Sequence, residues 1–189
     1  MKTLLLMRHA KSSWKFTELA DHERPLNKRG RRDAPLMGQF LLERELVPQR
    51  ILSSTAARAR QTAESVAESA NYRGDILYLE KLYMAEVDEY IAALRQLPDE
   101  LERVMVIGHN PGLETLLQVL SNRIESLPTA VVAHLNLPID KWSQLNGQTT
   151  GETVEIWSPK EVREEEEERS KTKEKGKSKE KEKSRKKDK

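Results

Sequence analysis

Thr3-Leu4-Leu5-Leu6-Met7-Arg8-His9 is an uninterrupted apolar run that ends in a cationic and a titratable residue. A run with no polar alternation suits a strand covered on both faces, the environment of a parallel sheet. Two later runs follow the same plan. Arg50–Ser53 is followed at a helix start by Arg58, and Arg103–Ile107 by Gly108-His109. Between the runs lie amphipathic stretches. Lys28–Leu46 predicts a helix with Ala34, Met37, Phe40 and Leu41 on one face and Asn27 as N-cap, its first turns disturbed by Pro35. Ala56–Ala70, Val87–Leu97 and Gly112–Ser121 predict three more helices. Asp75–Leu79, Ala130–Leu135 and Thr153–Trp157 predict three more strands, the last two joined by a polar turn around residues 146–151. Strand–helix alternation of this kind predicts an α/β fold, a three-layer sandwich with a mostly parallel central sheet and helices on both faces.

The chain has 189 residues and a net charge of +2, unevenly spread. Lys160–Lys189 holds 14 basic and 10 acidic residues, which leaves 19 and 21 in the first 159. Beyond Val162 the composition is Glu, Lys, Arg, Ser, Thr, Asp and one Gly. Such a segment buries too little apolar surface to offset chain entropy. Residues 1–159 therefore predict one domain, large enough for a core of its own. Residues 160–189 predict a charged tail, disordered or transiently helical. The mildly acidic body does not have the charge of a nucleic-acid binder, whereas the Lys-rich tail leaves room for an electrostatic contact with nucleic acid or an acidic partner. The absence of cysteine excludes disulfides, thiolate metal sites and a Cys nucleophile. No apolar run approaches the ~20 residues that span a bilayer, and Leu4–Met7 is too short for a signal peptide, so the expected location is the cytoplasm.

The strand-end positions carry the chemistry. In α/β sheets ligands sit beyond the carboxyl ends of the strands. Three segments bring Arg8, His9, Arg58 and His109 to that edge, where helix N-termini add N–H groups that favour an anion. Arg offers a planar fork of donors that matches phosphate oxygens, and a neutral His can attack phosphorus. Each residue alone has a plainer reading. Arg8-His9 is a common surface dipeptide, and Arg58 beside Arg60 suits a solvated helix face. No Walker-type phosphate loop and no His-x-x-x-His metal spacing is present.

Read as strings, the same residues resemble a known family. Leu4–Ala10 looks like the opening Arg-His-Gly/Ala signature of the histidine phosphatase superfamily, the phosphoglycerate-mutase-like group. Lys11–Trp14, Asp21–Asn27 and Arg29-Gly30 resemble its small SixA-type phosphohistidine phosphatase branch. Ser53–Ala63 is similar to the second-Arg motif, and Val106–Gly112 to the second-His motif. Pro128–Ala130 and Ala133–Leu135 are similar to the family's late strand. The resemblance spans about residues 1–158. It implies a phosphatase without metal or other cofactor. In it His9 is the nucleophile that becomes phosphorylated, Arg8 and Arg58 hold the phosphoryl oxygens, and His109 stabilises developing charge. Ala10 replaces the commoner Gly. Thr55 stands where the family usually has Pro, a departure able to shift the loop that carries Arg58.

Many relatives use a Glu after the third strand as general acid. Glu80 falls near that position, with Glu86 as the alternative and a surface carboxylate as the plainer reading of Glu80. Only about 50 residues separate Arg58 from His109, too few for the capping segments of relatives that act on sugars, so an uncapped pocket is expected. Such a pocket admits a phosphohistidine displayed on a phosphorelay or phosphocarrier domain. Two competing functions remain at this level, a small-molecule phosphomonoesterase or mutase and a catalytically silent phosphoprotein-binding module. His22 reads as a solvated loop residue, His134 as structural, Asp21 as a partner of Arg24, and Trp14, Trp142 and Trp157 as packing residues.

Overall fold

The computed structural model describes residues 1–172. Six strands, β1 (Lys2–Arg8), β2 (Arg50–Ser54), β3 (Ile76–Leu79), β4 (Arg103–Gly108), β5 (Val132–Leu137) and β6 (Glu152–Trp157), form one sheet in the order β3-β2-β4-β1-β5-β6. The β3-β2-β4-β1 portion is parallel; β5 runs antiparallel to both β1 and β6. The four main helices are α1 (Lys28–Glu43), α2 (Ala57–Ser69), α3 (Val87–Leu94) and α4 (Gly112–Ser121). The three-layer α/β arrangement is as expected.

Strand alternation explains the layers. Leu4, Leu6, Val104 and Val106 point to one face and pack with Leu94 of α3 and Leu113, Leu116 and Leu117 of α4. Leu5, Met7, Met105 and Ile107 point to the other, against Met37 and Leu41 of α1 and Ala63 and Val66 of α2. The central strands are apolar at consecutive positions because both of their faces are covered.

Several boundaries differ from expectation for local reasons. The Asn27 carboxamide caps α1 by accepting from the Gly30 N–H, and the helix runs through Pro35. It stops at Glu43 because Glu45 turns left-handed (φ 57°) and the Leu46 N–H bonds back to the Leu41 carbonyl. β5 starts at Val132 rather than Ala130. Ala130 is left-handed (φ 64°) and its N–H bonds to the Arg8 carbonyl, which makes residues 128–131 a turn.

Helical structure continues over residues 159–172, part of the stretch expected as a tail. Ser158 and Glu161 form a capping box at its start: the Ser158 N–H donates to the Glu161 carboxylate (2.9 Å) and the Glu161 N–H to Ser158 Oγ (3.3 Å). Val162 is 1% exposed and belongs to the core on the α1 side. Arg163 bridges the buried carboxylate of Asp33 at 2.9 Å. Packing of the domain thus extends past Pro159. Residues 173–189 of the expected tail lie outside the described residues.

Candidate active site

The connections locate the crevice. From β1 the chain moves through α1 towards β2 at one side of the sheet, and from β4 it moves through α4 towards β5 at the other. The neighbours β1 and β4 therefore diverge at their carboxyl ends, the topological switch point at which α/β sheets open a cleft. In register Arg8 faces Gly108, so the next residues, His9 and His109, stand side by side with ring centroids 5.0 Å apart. Gly108 permits this closeness, since a Cβ there would lie 2.3 Å from the Tyr90 hydroxyl that receives the His109 N–H. Arg58 enters from the first turn of α2. Thr62, one turn on, bonds its hydroxyl to the Arg58 carbonyl (2.6 Å) and accepts the Ala10 N–H (3.0 Å), which ties α2 to the β1 loop. Arg8, His9, Arg58 and His109 line one cavity of about 470 Å³.

Hydrogen bonds define the tautomers. His9 Nδ1 lies 2.7 Å from the Ala10 carbonyl, which only accepts, so Nδ1 carries the proton. Nε2 keeps its lone pair and faces Arg58 Nε–H at 3.3 Å. His109 is the opposite tautomer. Its Nδ1 accepts from Arg58 Nη2 (3.4 Å), and its Nε2–H donates to Ser54 Oγ (2.9 Å). Both rings stay neutral. Burial, aided by Arg58 and Arg8, lowers His9 to about 4. Burial, His9 and Arg58 lower His109 to about 3.

Cations dominate the cavity wall. Arg8, Lys11, Arg24 and Arg58 line it against one carboxylate, Asp21. Arg8 donates to the Leu127 carbonyl (3.1 Å), while its buried Nε has no partner among the described residues. Asp21 accepts from Arg24 Nη2 (2.8 Å), Arg58 Nη2 (2.9 Å) and the Tyr83 hydroxyl (2.9 Å). Burial alone would raise its carboxyl; those hydrogen bonds and the Arg58 charge hold it well below the usual carboxylate range. The pairing of Asp21 with Arg24 follows expectation, but its second contact, the hold on Arg58, was not foreseen. No local pattern announces a contact between residues 37 positions apart.

Glu80, expected as the acid, is not among the residues lining this cavity. It sits on a 3₁₀ turn (Glu80–Leu82) after β3, largely exposed. Its carboxylate accepts from the Thr55 hydroxyl, and that hydroxyl accepts from His22 Nε2 (2.9 Å). His22 is thus tied to the rim and stacks edge-on with Tyr83, rather than standing free in solvent. Thr55 in place of Pro leaves Arg58 within reach of both histidines. Glu86, the alternative acid, caps α3 and lines a second cavity that also reaches His109. Among the described residues no group of three or more His, Cys, Asp or Glu stands where it could hold a metal ion, and no helix is long and apolar enough to cross a membrane.

Comparison with known proteins agrees with this architecture. An uncharacterized protein of Mycobacterium leprae is 34% identical over 152 residues, covering 74% of this chain and 91% of the relative. The SixA structure from Nakamurella multipartitia superposes with a TM-score of 0.75 at 27% identity, covering 84% of this chain and 96% of that one. A protein histidine phosphatase SixA complexed with tungstate gives 0.73 at 26% identity, covering 85% and 99%. The family model of the histidine phosphatase superfamily (branch 1) matches residues 4–90, the stretch that contains Arg8, His9 and Arg58. With the two-histidine crevice and these relatives in agreement, the chain belongs to the histidine phosphatase superfamily.

Proposed function

We propose that this phosphatase removes the phosphoryl group from phosphohistidine on a protein, with His9 as nucleophile. The observation that carries the reading is the His9 tautomer. Its Nδ1–H is held by the Ala10 carbonyl, and its Nε2 lone pair is turned into the cation-lined cavity, where it accepts from Arg58 Nε–H. In the first step Nε2 forms a bond to phosphorus in line with the breaking P–N bond of the substrate. The electron pair of that bond goes to the departing imidazole, which takes a proton from solvent. Water then attacks phospho-His9 and its P–N bond breaks, restoring the Nε2 lone pair and releasing hydrogen phosphate and one proton to solvent.

Arg8 and Arg58 neutralise the phosphoryl oxygens. An arriving dianion raises the proton affinity of His109 beside it, which turns Nδ1 into a donor aimed at the developing charge. An imidazole departs more easily than an alkoxide, so a cavity without Glu80 in its wall still suits this substrate. The open rim fits a protein-borne group. Between β3 and α3 only residues 80–86 intervene, and Trp14 stands 71% exposed beside the cavity. A related SixA binds tungstate, a tetrahedral oxyanion like phosphate.

The test is to pulse the full chain, in EDTA, with a phosphohistidine-bearing carrier protein. The expected result is an acid-labile label on the parent, none on His9→Ala, and a dephosphorylated carrier. Arg58→Ala and His109→Ala should each lose at least ~10²-fold in turnover. Turnover that survives in His9→Ala overturns the mechanism. Label captured only from a phosphate monoester, with the carrier untouched, moves the substrate to a small molecule.

A further inference from the structure

A second cavity of about 510 Å³ adjoins the first on the α3–α4 side, and Met84, His109 and Asn110 line both. We propose that this second cavity binds a basic side chain, Lys or Arg, of the substrate protein beside its phosphohistidine. The proposal rests on the protein-substrate reading above and narrows it to a sequence context.

The two cavities have opposite character. Four cations and one carboxylate line the first; Glu86 and Asp88 line the second, with no Lys or Arg. A ligand that spans them is anionic at the reacting end and cationic a few ångströms away. Met84, Val87 and Pro111 supply apolar wall for the methylene stem of a Lys or Arg, whose charged head reaches the carboxylates at the mouth. Glu86 is the N-cap residue of α3, and its N–H donates to the Glu89 carboxylate (2.8 Å). Asp88 is exposed and, among the described residues, has neither a salt bridge nor a side-chain hydrogen bond. It is a charge open to an incoming cation.

Met84, on the ridge between the cavities, is 68% exposed, and a ligand that spans both cavities crosses it together with His109 and Asn110.

The experiment uses three phosphohistidine peptides that differ only in whether Lys, Ala or Glu flanks the phosphorylated residue. Phosphate release by the full chain is compared with Asp88→Lys, which reverses the charge, and Thr115→Phe, which fills the cavity with charge untouched. The parent is expected to favour the Lys peptide over the Glu peptide by at least about fivefold in kcat/KM, mostly through KM. Both variants should abolish that preference, and Asp88→Lys should invert it. Hydrolysis of all three peptides by the parent with equal KM overturns this inference alone, as does a Lys preference that persists in both variants. Hydrolysis of none of them overturns the protein-phosphohistidine reading as well.

Discussion

Both histidines are held neutral by burial, and this has consequences for rate and for stability. His9 at about 4 keeps its Nε2 lone pair throughout the neutral range. The rate of phosphoenzyme formation, read in single-turnover experiments, should therefore be flat from about pH 8 to about pH 5 and fall as pH approaches about 4. Folding follows the same groups. Above the ordinary value of 6.5 neither the folded nor the unfolded state protonates these rings. Below it the unfolded chain takes up protons that the folded chain refuses, so stability is lost as pH falls towards the folded values. Urea unfolding at about pH 7 and about pH 5 should differ by 1–2 kcal/mol or so per histidine, and His9→Asn should show the smaller difference. Asp21 gives a third expectation. Its carboxylate occupies one arm of Arg58 and one of Arg24. Asp21→Asn adds net positive charge to the cavity and frees donors for an oxyanion. Inhibition by orthophosphate should tighten by about fivefold at low salt, and kcat should not rise because Arg58 loses its brace.

The elements meet the site through close backbone approaches, and these can be broken one at a time. Gly108→Ala places a methyl 2.3 Å from the Tyr90 hydroxyl but 3.1 Å from its ring carbon. The substitution should cost about 1–3 kcal/mol in denaturant unfolding, and Tyr90→Phe in the same chain should recover part of it by removing the clashing oxygen. The double variant keeps a residual loss, since the His109 N–H then lacks its acceptor. Much of this level was legible in the sequence. The unbroken apolar runs placed β1 and β4, and the residues that follow them gave the histidine pair. The helix expected over Ala56–Ala70 ends where Asn71 takes a left-handed turn (φ 53°), a conformation Asn tolerates. Glu45 makes the same turn at the end of α1, and nothing in a Glu signals it. The Ser158–Glu161 box was readable as a helix start but is masked by the charge-rich composition that follows. Asp21 on Arg58 and Glu80 on Thr55 are tertiary pairings with no local signature, so neither the brace nor the displaced acid could be read in advance.

Over the whole molecule, the helix at residues 159–172 is docked on α1 by two kinds of contact. Val162 fills a place in the α1-side core, and Arg163 reaches Asp33, a carboxylate 1% exposed that Arg29 and Arg32 also bridge. Arg44–Glu165 adds an outer pair at 2.7 Å, partly exposed and so weak. Val162→Ala removes buried methyl groups and should cost about 1–2 kcal/mol. Arg163→Ala leaves Asp33 with two guanidinium partners, so its own cost should be smaller, under about 1.5 kcal/mol. The two together decide how the helix is held. Were the contacts independent, the losses would add; but one helix that docks or leaves as a unit forfeits both contacts once either is lost. The double variant should therefore fall short of additivity by at least about 0.5 kcal/mol. Amide exchange along α1 near Asp33 should rise in each single variant, since that face is then uncovered. Strict additivity with unchanged exchange would mean that the helix stays seated through contacts other than Val162 and Arg163. Neither Val162 nor Arg163 lines the cavity that holds His9 and His109, so turnover measured well below the unfolding transition should stay within about twofold of the parent while stability falls.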